Sequence, residues 1–157
     1  MIEVTLSPLE CRLGKYLGRV RNIMSLDTKT NARRDPAQND EEMNIQGAGA
    51  EIAVAKLMNV FPELSPTRGE LPKWDLVIHN EQFDVKRNHL PGGDLLVPNL
   101  YENIWYILAC GTIPSYNIIG FLSGIDVKKN GEWVNLTYGP CWRVRPQKLI
   151  PIEDLLS

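Results

Sequence analysis

Long apolar runs are missing from this chain of 157 residues. No stretch approaches the roughly 20 residues that a membrane-spanning helix needs. Met1 to Pro8 lacks the basic-then-apolar order of a secretory signal, so the expectation is a soluble, cytoplasmic protein with no membrane partner. Cysteine is scarce: Cys11, Cys110 and Cys141 lie far apart with no CxxC pair. That spacing excludes a zinc ribbon, a four-cysteine iron–sulfur site and a disulfide framework, and it predicts reduced structural thiols. Neither charge sign is in excess, with 17 Lys+Arg against 19 Asp+Glu and a net charge of −2. A surface wholly given over to nucleic acid is thereby excluded, though a local basic patch is not. Repeats and low-complexity segments are absent. Gly92-Gly93 lacks the spacing of a phosphate-binding glycine loop, which weighs against nucleotide phosphoryl transfer. What remains is ordinary globular composition, 43% hydrophobic and 23% charged, at a length suited to one domain.

Within that single domain, residues 1–38 read as an N-terminal helix and polar loop, 39–145 as the core and 146–157 as a C-terminal tail. After an extended start at Ile2 to Leu6, Ser7-Pro8-Leu9-Glu10 has the serine, proline and glutamate of a capped helix start. Leu9, Leu13, Tyr16, Leu17, Val20 and Met24 recur at helical spacing and predict the packing stripe. Arg12, Lys15 and Arg19 form a second, basic stripe, a candidate phosphate contact. Ser25 to Gln38, with Arg33-Arg34, reads as a polar loop. Asn39 with Glu42 three residues later predicts a second helix to about Asn59, packed through Ala48, Ile52, Ala55 and Leu57 to Val60.

From Phe61 onward short apolar runs broken by Pro, Gly and Asn predict a sheet. Strands are expected at Trp74–Ile78, Gln82–Arg87, Ile104–Cys110, Ile118–Ser123 and Cys141–Val144. A Pro91-Gly92-Gly93 turn, a Gly111–Tyr116 loop and a polar Asp126–Glu132 connection separate them, and a helical turn at Pro151–Leu155 closes the core. Two helices and a mostly β remainder make an α/β or α+β domain with the long helix across the sheet.

The stretch Trp74-Asp75 through Asp84-Val85-Lys86 carries the chemistry. Strand alternation turns Asp84 and Lys86 one way and Phe83 and Val85 the other. A two-residue loop at Asn80-Glu81 pairs Asp75 with Lys86 and Val77 with Asp84, so all three polar groups share a face. Two carboxylates and an ammonium between apolar strands need a reason, and a divalent cation supplies one. Carboxylate oxygens suit Mg2+ or Mn2+, and a nearby lysine suits a developing phosphate charge or an attacking water. Upstream, Glu51 in Gly47-Ala48-Gly49-Ala50-Glu51 projects from a helix face of small and apolar residues that should pack. Close approach of that helix to a sheet or ligand would explain Gly47 and Gly49, each of which costs about 1 kcal/mol in a helix relative to alanine.

In this order, helix acid, strand acid, turn and strand with acid-x-Lys, the chain resembles the PD-(D/E)xK nuclease superfamily. Its nearest likeness there is to small phage and bacterial members related to Holliday-junction resolvases. The resemblance covers Gln46 to Ser123, and Tyr138-Gly139-Pro140-Cys141-Trp142 resembles the ending of small phage nucleases. Two departures stand out: Trp74 occupies the place of the usual proline, and the second acid is Asp84 where glutamate is commoner. The resemblance implies a restriction-endonuclease-like core, a mixed β-sheet flanked by helices, in a bacterial or phage-infected cell. It implies Asp75 and Asp84 as ligands of Mg2+ or Mn2+, Lys86 as the catalytic lysine and Glu51 as the acid that completes or orients the metal site.

Arg87 and Asn88 are further candidates for phosphate contact alongside Arg12, Lys15, Arg19, Arg33 and Arg34. His79 and His89 read as exposed histidines and Cys110 as core. Trp105, Tyr106 and Trp142 read as packing residues, whereas Trp133, near Lys128 and Lys129, has the best claim to a surface role. The expected function is a metal-dependent DNA endonuclease, structure-selective or nonspecific, for which a homodimer is the simplest route to cutting two strands. The alternative is a catalytically inactive nuclease-fold module that binds DNA or a protein.

Overall fold

The computed structural model describes residues 1–27, 39–64, 74–137 and 139–157. Strand β1 (Ile2–Thr5) precedes helices α1 (Pro8–Asp27) and α2 (Asp40–Met58). Strands β2 (Leu76–Ile78), β3 (Glu81–Asn88), β4 (Leu95–Val97), β5 (Trp105–Thr112) and β6 (Ser115–Ser123) follow. Helix α3 (Gly124–Asn130) leads to β7 (Glu132–Leu136) and β8 (Gly139–Val144). A 3-10 turn at Pro146–Lys148, strand β9 (Ile150–Pro151) and helix α4 (Glu153–Leu156) end the chain. The larger sheet runs β1-β6-β5-β3-β2 with β9 on β6, and β3 and β5 are parallel while the other pairs are antiparallel. A smaller antiparallel sheet runs β4-β8-β7. The architecture is therefore mixed α/β, a mixed sheet flanked by helices. No described helix is long and apolar enough to cross a membrane.

Both helix starts follow their local chemistry. The Ser7 N–H donates to Glu10 Oε2 at 2.6 Å and the Glu10 N–H to Ser7 Oγ at 3.2 Å, a closed capping box. Asn39 Oδ1 accepts from the Glu42 N–H at 2.7 Å, and Asn59 ends α2 in the left-handed conformation.

The packing stripe of α1 differs from expectation. Leu9 and Tyr16 are 74% and 67% exposed and Leu13 is exposed as well, while Gly14, Leu17, Gly18 and Arg21 form the buried side. Shape decides this: a side chain at Gly18 would collide with the Ile45 backbone, so α1 approaches α2 along its barest face. On α2, Gly49 behaves as expected, because a Cβ there would meet the Tyr116 hydroxyl of β6. Gly47 does not, since space is open around it. Buried Gln46 ties α2 to the turn between β5 and β6: its Oε1 accepts the Ile113 N–H at 2.8 Å, and the Tyr116 hydroxyl donates to its backbone oxygen at 2.9 Å.

Two cores result. One lies between α2 and the larger sheet, filled by Ile52, Val54, Phe83, Val85, Ile107 and Ile118. The other lies between the opposite sheet face, the smaller sheet and α3, filled by Leu95, Tyr106, Leu108, Val127 and Val144. The three thiols are free, with Cys110 and Cys141 buried.

Other differences concern weakly apolar segments. The helix continues through Asp27, where a loop is expected from Ser25; residues 28–38, with Arg33 and Arg34, lie outside the described residues, as does Tyr138. The expected Asp126–Glu132 connection is mostly α3, whose cap is the Ser123 hydroxyl accepting the Asp126 N–H at 3.1 Å. The Gly111–Tyr116 loop shrinks to a tight turn between β5 and β6. The C-terminal segment closes the core as expected, with β9 pairing β6, Ile152 fully buried and the final helical turn at Glu153–Leu156.

Candidate active site

Alternation along β3 places Phe83 and Val85 under α2 and turns Asp84 and Lys86 to the face occupied by Tyr106, the register partner of Asp84 on β5. The turn ahead of β3 is His79-Asn80, both with positive φ, rather than Asn80-Glu81. Val77 consequently lies opposite Gln82, not Asp84. That slip of two residues leaves the parity of every side chain unchanged, so Asp75 keeps its place beside the acid-x-Lys face.

Asp84 Oδ2 and Lys86 Nζ are 2.7 Å apart, with side chains 14% and 29% exposed. The Asp75 N–H donates to the Phe83 carbonyl at 2.8 Å, and Asp75 Oδ2 accepts the Val85 N–H at 2.7 Å. Burial, then the charges of Glu51 and Asp84 and a hydrogen bond with the Asp84 carboxyl, hold the Asp75 carboxyl well above the usual range, against the pull of Lys86. For Lys86, burial opposes the charge, but Asp84 and Asp75 outweigh it and the ammonium titrates above its ordinary value. The Asp75, Asp84, Lys86 and Glu51 of the expected site are thus electrostatic neighbours.

Glu51 is buried on α2 as its helix face predicts. Arg21, absent from the candidates read in the sequence, donates through Nη1 to both of its oxygens at 2.8 and 2.9 Å, and through Nη2 to the Glu63 carbonyl at 3.1 Å. The spacing of Gly14, Gly18 and Arg21 along one helix face was the available signal.

Among the described residues, no three His, Cys, Asp or Glu side chains form a ready-made metal-ligand group. The donor chemistry nonetheless fits a divalent ion held by two carboxylates and water, the usual arrangement for Mg2+. Asp75 and Asp84 are hard oxygen donors whose like charges act on each other, a repulsion that a cation would relieve. Glu51 adds negative charge next to this pair, while both of its oxygens are engaged by Arg21.

The expected nucleic-acid contacts scatter. Arg12 and Lys15 are exposed on α1, and Arg19 there pairs with Glu41 at 3.3 Å. Arg87 Nε donates to the Gly111 carbonyl at 2.8 Å. Asn88 donates to the Asp94 carbonyl at 2.9 Å and accepts the Leu90 N–H at 3.0 Å, closing the turn after β3. His79 and His89 are exposed. Trp105 packs on Phe83 and Phe121 with ring centroids 6.0 and 5.6 Å away, the packing role expected of it. No protein-family model, curated protein or solved structure matches the chain.

Proposed function

We propose that this chain is a Mg2+- or Mn2+-dependent DNA endonuclease with a restriction-endonuclease-like core of the PD-(D/E)xK type. The supporting observation is that Asp75 feels the like charges of both Asp84 and Glu51 while Lys86 is held against Asp84 at 2.7 Å. Such like-charge crowding costs stability and marks sites built for a charged ligand. Asp75 and Asp84 would hold the ion, and Glu51, fixed by Arg21, deepens the negative potential that attracts it. When bound, the ion supplies Lewis-acid stabilisation of the scissile phosphate and lowers the pKa of a water. Lys86, a cation at neutral pH, orients the attacking water and meets the negative charge that grows on the phosphate oxygens. The flanking β2 and β5 hold β3 with Asp84 and Lys86, while Asp75, in a bend just ahead of β2, is fixed by the Val85 N–H on its carboxylate.

DNA is the substrate in this reading, cut structure-selectively or without sequence preference, and a homodimer would supply two centres for two strands. A second reading, an inactive nuclease-fold module binding DNA or a protein, draws on the absence of a ready-made three-ligand group among the described residues. One assay separates them. Wild type and Lys86→Ala are compared on supercoiled plasmid, linear duplex, single strands and a four-way junction with Mg2+ or Mn2+. Cleavage by wild type that falls about a hundred- to a thousandfold in Lys86→Ala is expected. Equal cleavage by Lys86→Ala, Asp75→Asn and Asp84→Asn, or no cleavage by wild type with either metal, overturns the nuclease.

A further inference from the structure

The surface of the molecule holds a shallow, open cleft of about 480 Å³ that the chemistry above does not use. Its walls include Tyr101, Lys128, Trp133 and Trp142. Trp133 and Trp142 face each other across β7 and β8, with ring centroids 5.4 Å apart and planes tilted by 62°. In an edge-to-face pair the edge of one ring covers one face of the other, which leaves π surface for a third planar ring. Trp133 is 55% exposed, a large apolar ring left open to solvent.

The surrounding sequence is basic in a chain of nearly balanced charge. Between Asp126 and Lys148 five basic residues stand against two acidic ones, whereas the whole chain carries −2. Lys128 and Lys129 end α3, and Arg143, Arg145 and Lys148 gather around Glu132. Lys128 pairs with Glu102 at 3.6 Å, but both side chains are more than half exposed, so the pair is weak and open to exchange for a phosphate.

The cleft also connects to the cluster through a single side chain. Tyr106, fully buried, accepts the Tyr101 N–H at 2.8 Å and so holds the loop that forms one wall. The same residue is the register partner of Asp84 and feels the charges of Asp84 and Lys86.

We infer that this cleft is a subsite for an unpaired nucleobase of a DNA strand, stacked on Trp133 with its phosphate met by Lys128. A half-exposed indole in an open cleft with a lysine in its wall, Lys128, supplies the stacking surface and the phosphate contact of a single-strand binding platform. Its place as a substrate subsite rests on the nuclease reading, and it gives that reading a substrate class: DNA with unpaired bases near the scissile bond, as in single strands, bulges and junctions.

The test is done without metal, so that binding is read apart from cleavage. A short oligothymidylate and a blunt duplex of equal length are titrated against wild type, Trp133→Ala, Trp133→Phe and Lys128→Gln in EDTA, following tryptophan fluorescence and anisotropy. Wild-type fluorescence should be quenched by oligothymidylate, Trp133→Ala should bind it about tenfold or more weakly, and Trp133→Phe should keep most of the affinity. Lys128→Gln should reduce the slope of log affinity against log salt by somewhat less than about one. Oligothymidylate binding unchanged in both Trp133→Ala and Lys128→Gln overturns the subsite. Trp133-dependent binding of a proline-rich peptide with no oligothymidylate binding also overturns it, and assigns the cleft to a protein partner. The same preparations assayed with Mn2+ on plasmid keep the two failures apart. Trp133-dependent strand binding without cleavage sinks the nuclease alone; cleavage with Trp133-independent binding sinks the subsite alone.

Discussion

The two faces of the larger sheet obey the same alternation and do opposite things. Under α2, Phe83, Val85 and Ile107 bury apolar surface and ask nothing of solvent. One residue along each strand, Asp84, Lys86 and Tyr106 set charge and a hydroxyl against the other face. A strand whose odd positions anchor a core can hold its even positions in a strained electrostatic arrangement, because the packing of one face offsets the cost of the other.

Substitutions on the two faces should therefore differ in sign. Phe83→Ala, which empties a fully buried site between Trp105 and Phe121, is expected to lower stability by about 3–5 kcal/mol in urea unfolding. A loss below about 1 kcal/mol would mean that this face does not carry the fold. Next comes Arg21→Met, which leaves Glu51 buried without its guanidinium and should cost about 3 kcal/mol. The double change Arg21→Met with Glu51→Leu should recover most of that loss; a double variant as unstable as the single one would show that the pair itself is not the source.

The smallest effect runs the other way. Folding raises the pKa of Asp75, so the native state holds its proton at pH values where the unfolded chain has released it. Asp75 accordingly costs stability above its raised pKa, and the cost fades as pH falls toward the ordinary value of 3.8. Metal-free Asp75→Asn should be about 1 kcal/mol more stable than wild type at neutral pH, with the difference closing in acid. Thermal melts in EDTA across pH check this, and a destabilised variant at neutral pH would remove the crowding from the account.

Those predictions separate what local sequence reveals from what it hides. The caps at Ser7 and Asn39 were legible because each involves groups three residues apart. The sidedness of Asp84 and Lys86 was legible because period-two alternation survives a register slip of two, although the turn position did not. The buried face of α1 was hidden: periodicity counts apolar side chains, while the close crossing depends on the missing side chain of Gly18. Arg21 was hidden for the same reason, since its partner Glu51 sits 30 residues away and meets it only once the helices cross. Of the smaller sheet only β8 was legible, as Cys141–Val144; β4 escaped because it has three residues and pairs with a distant strand, and β7 because it mixes polar and apolar residues and is largely exposed. Ser123 and Asp126 did announce the cap of α3, but the polar composition beyond them reads as a connection.

The central claim is that Asp75 and Asp84 are crowded so as to hold a divalent ion while Lys86 acts on the substrate. Calorimetric titration of Mn2+ into wild type, Asp84→Asn and Lys86→Ala tests it most directly. The account predicts saturable binding by wild type and by Lys86→Ala, with binding lost in Asp84→Asn. Wild type that binds no Mn2+, or Asp84→Asn that binds it as wild type does, would contradict the account.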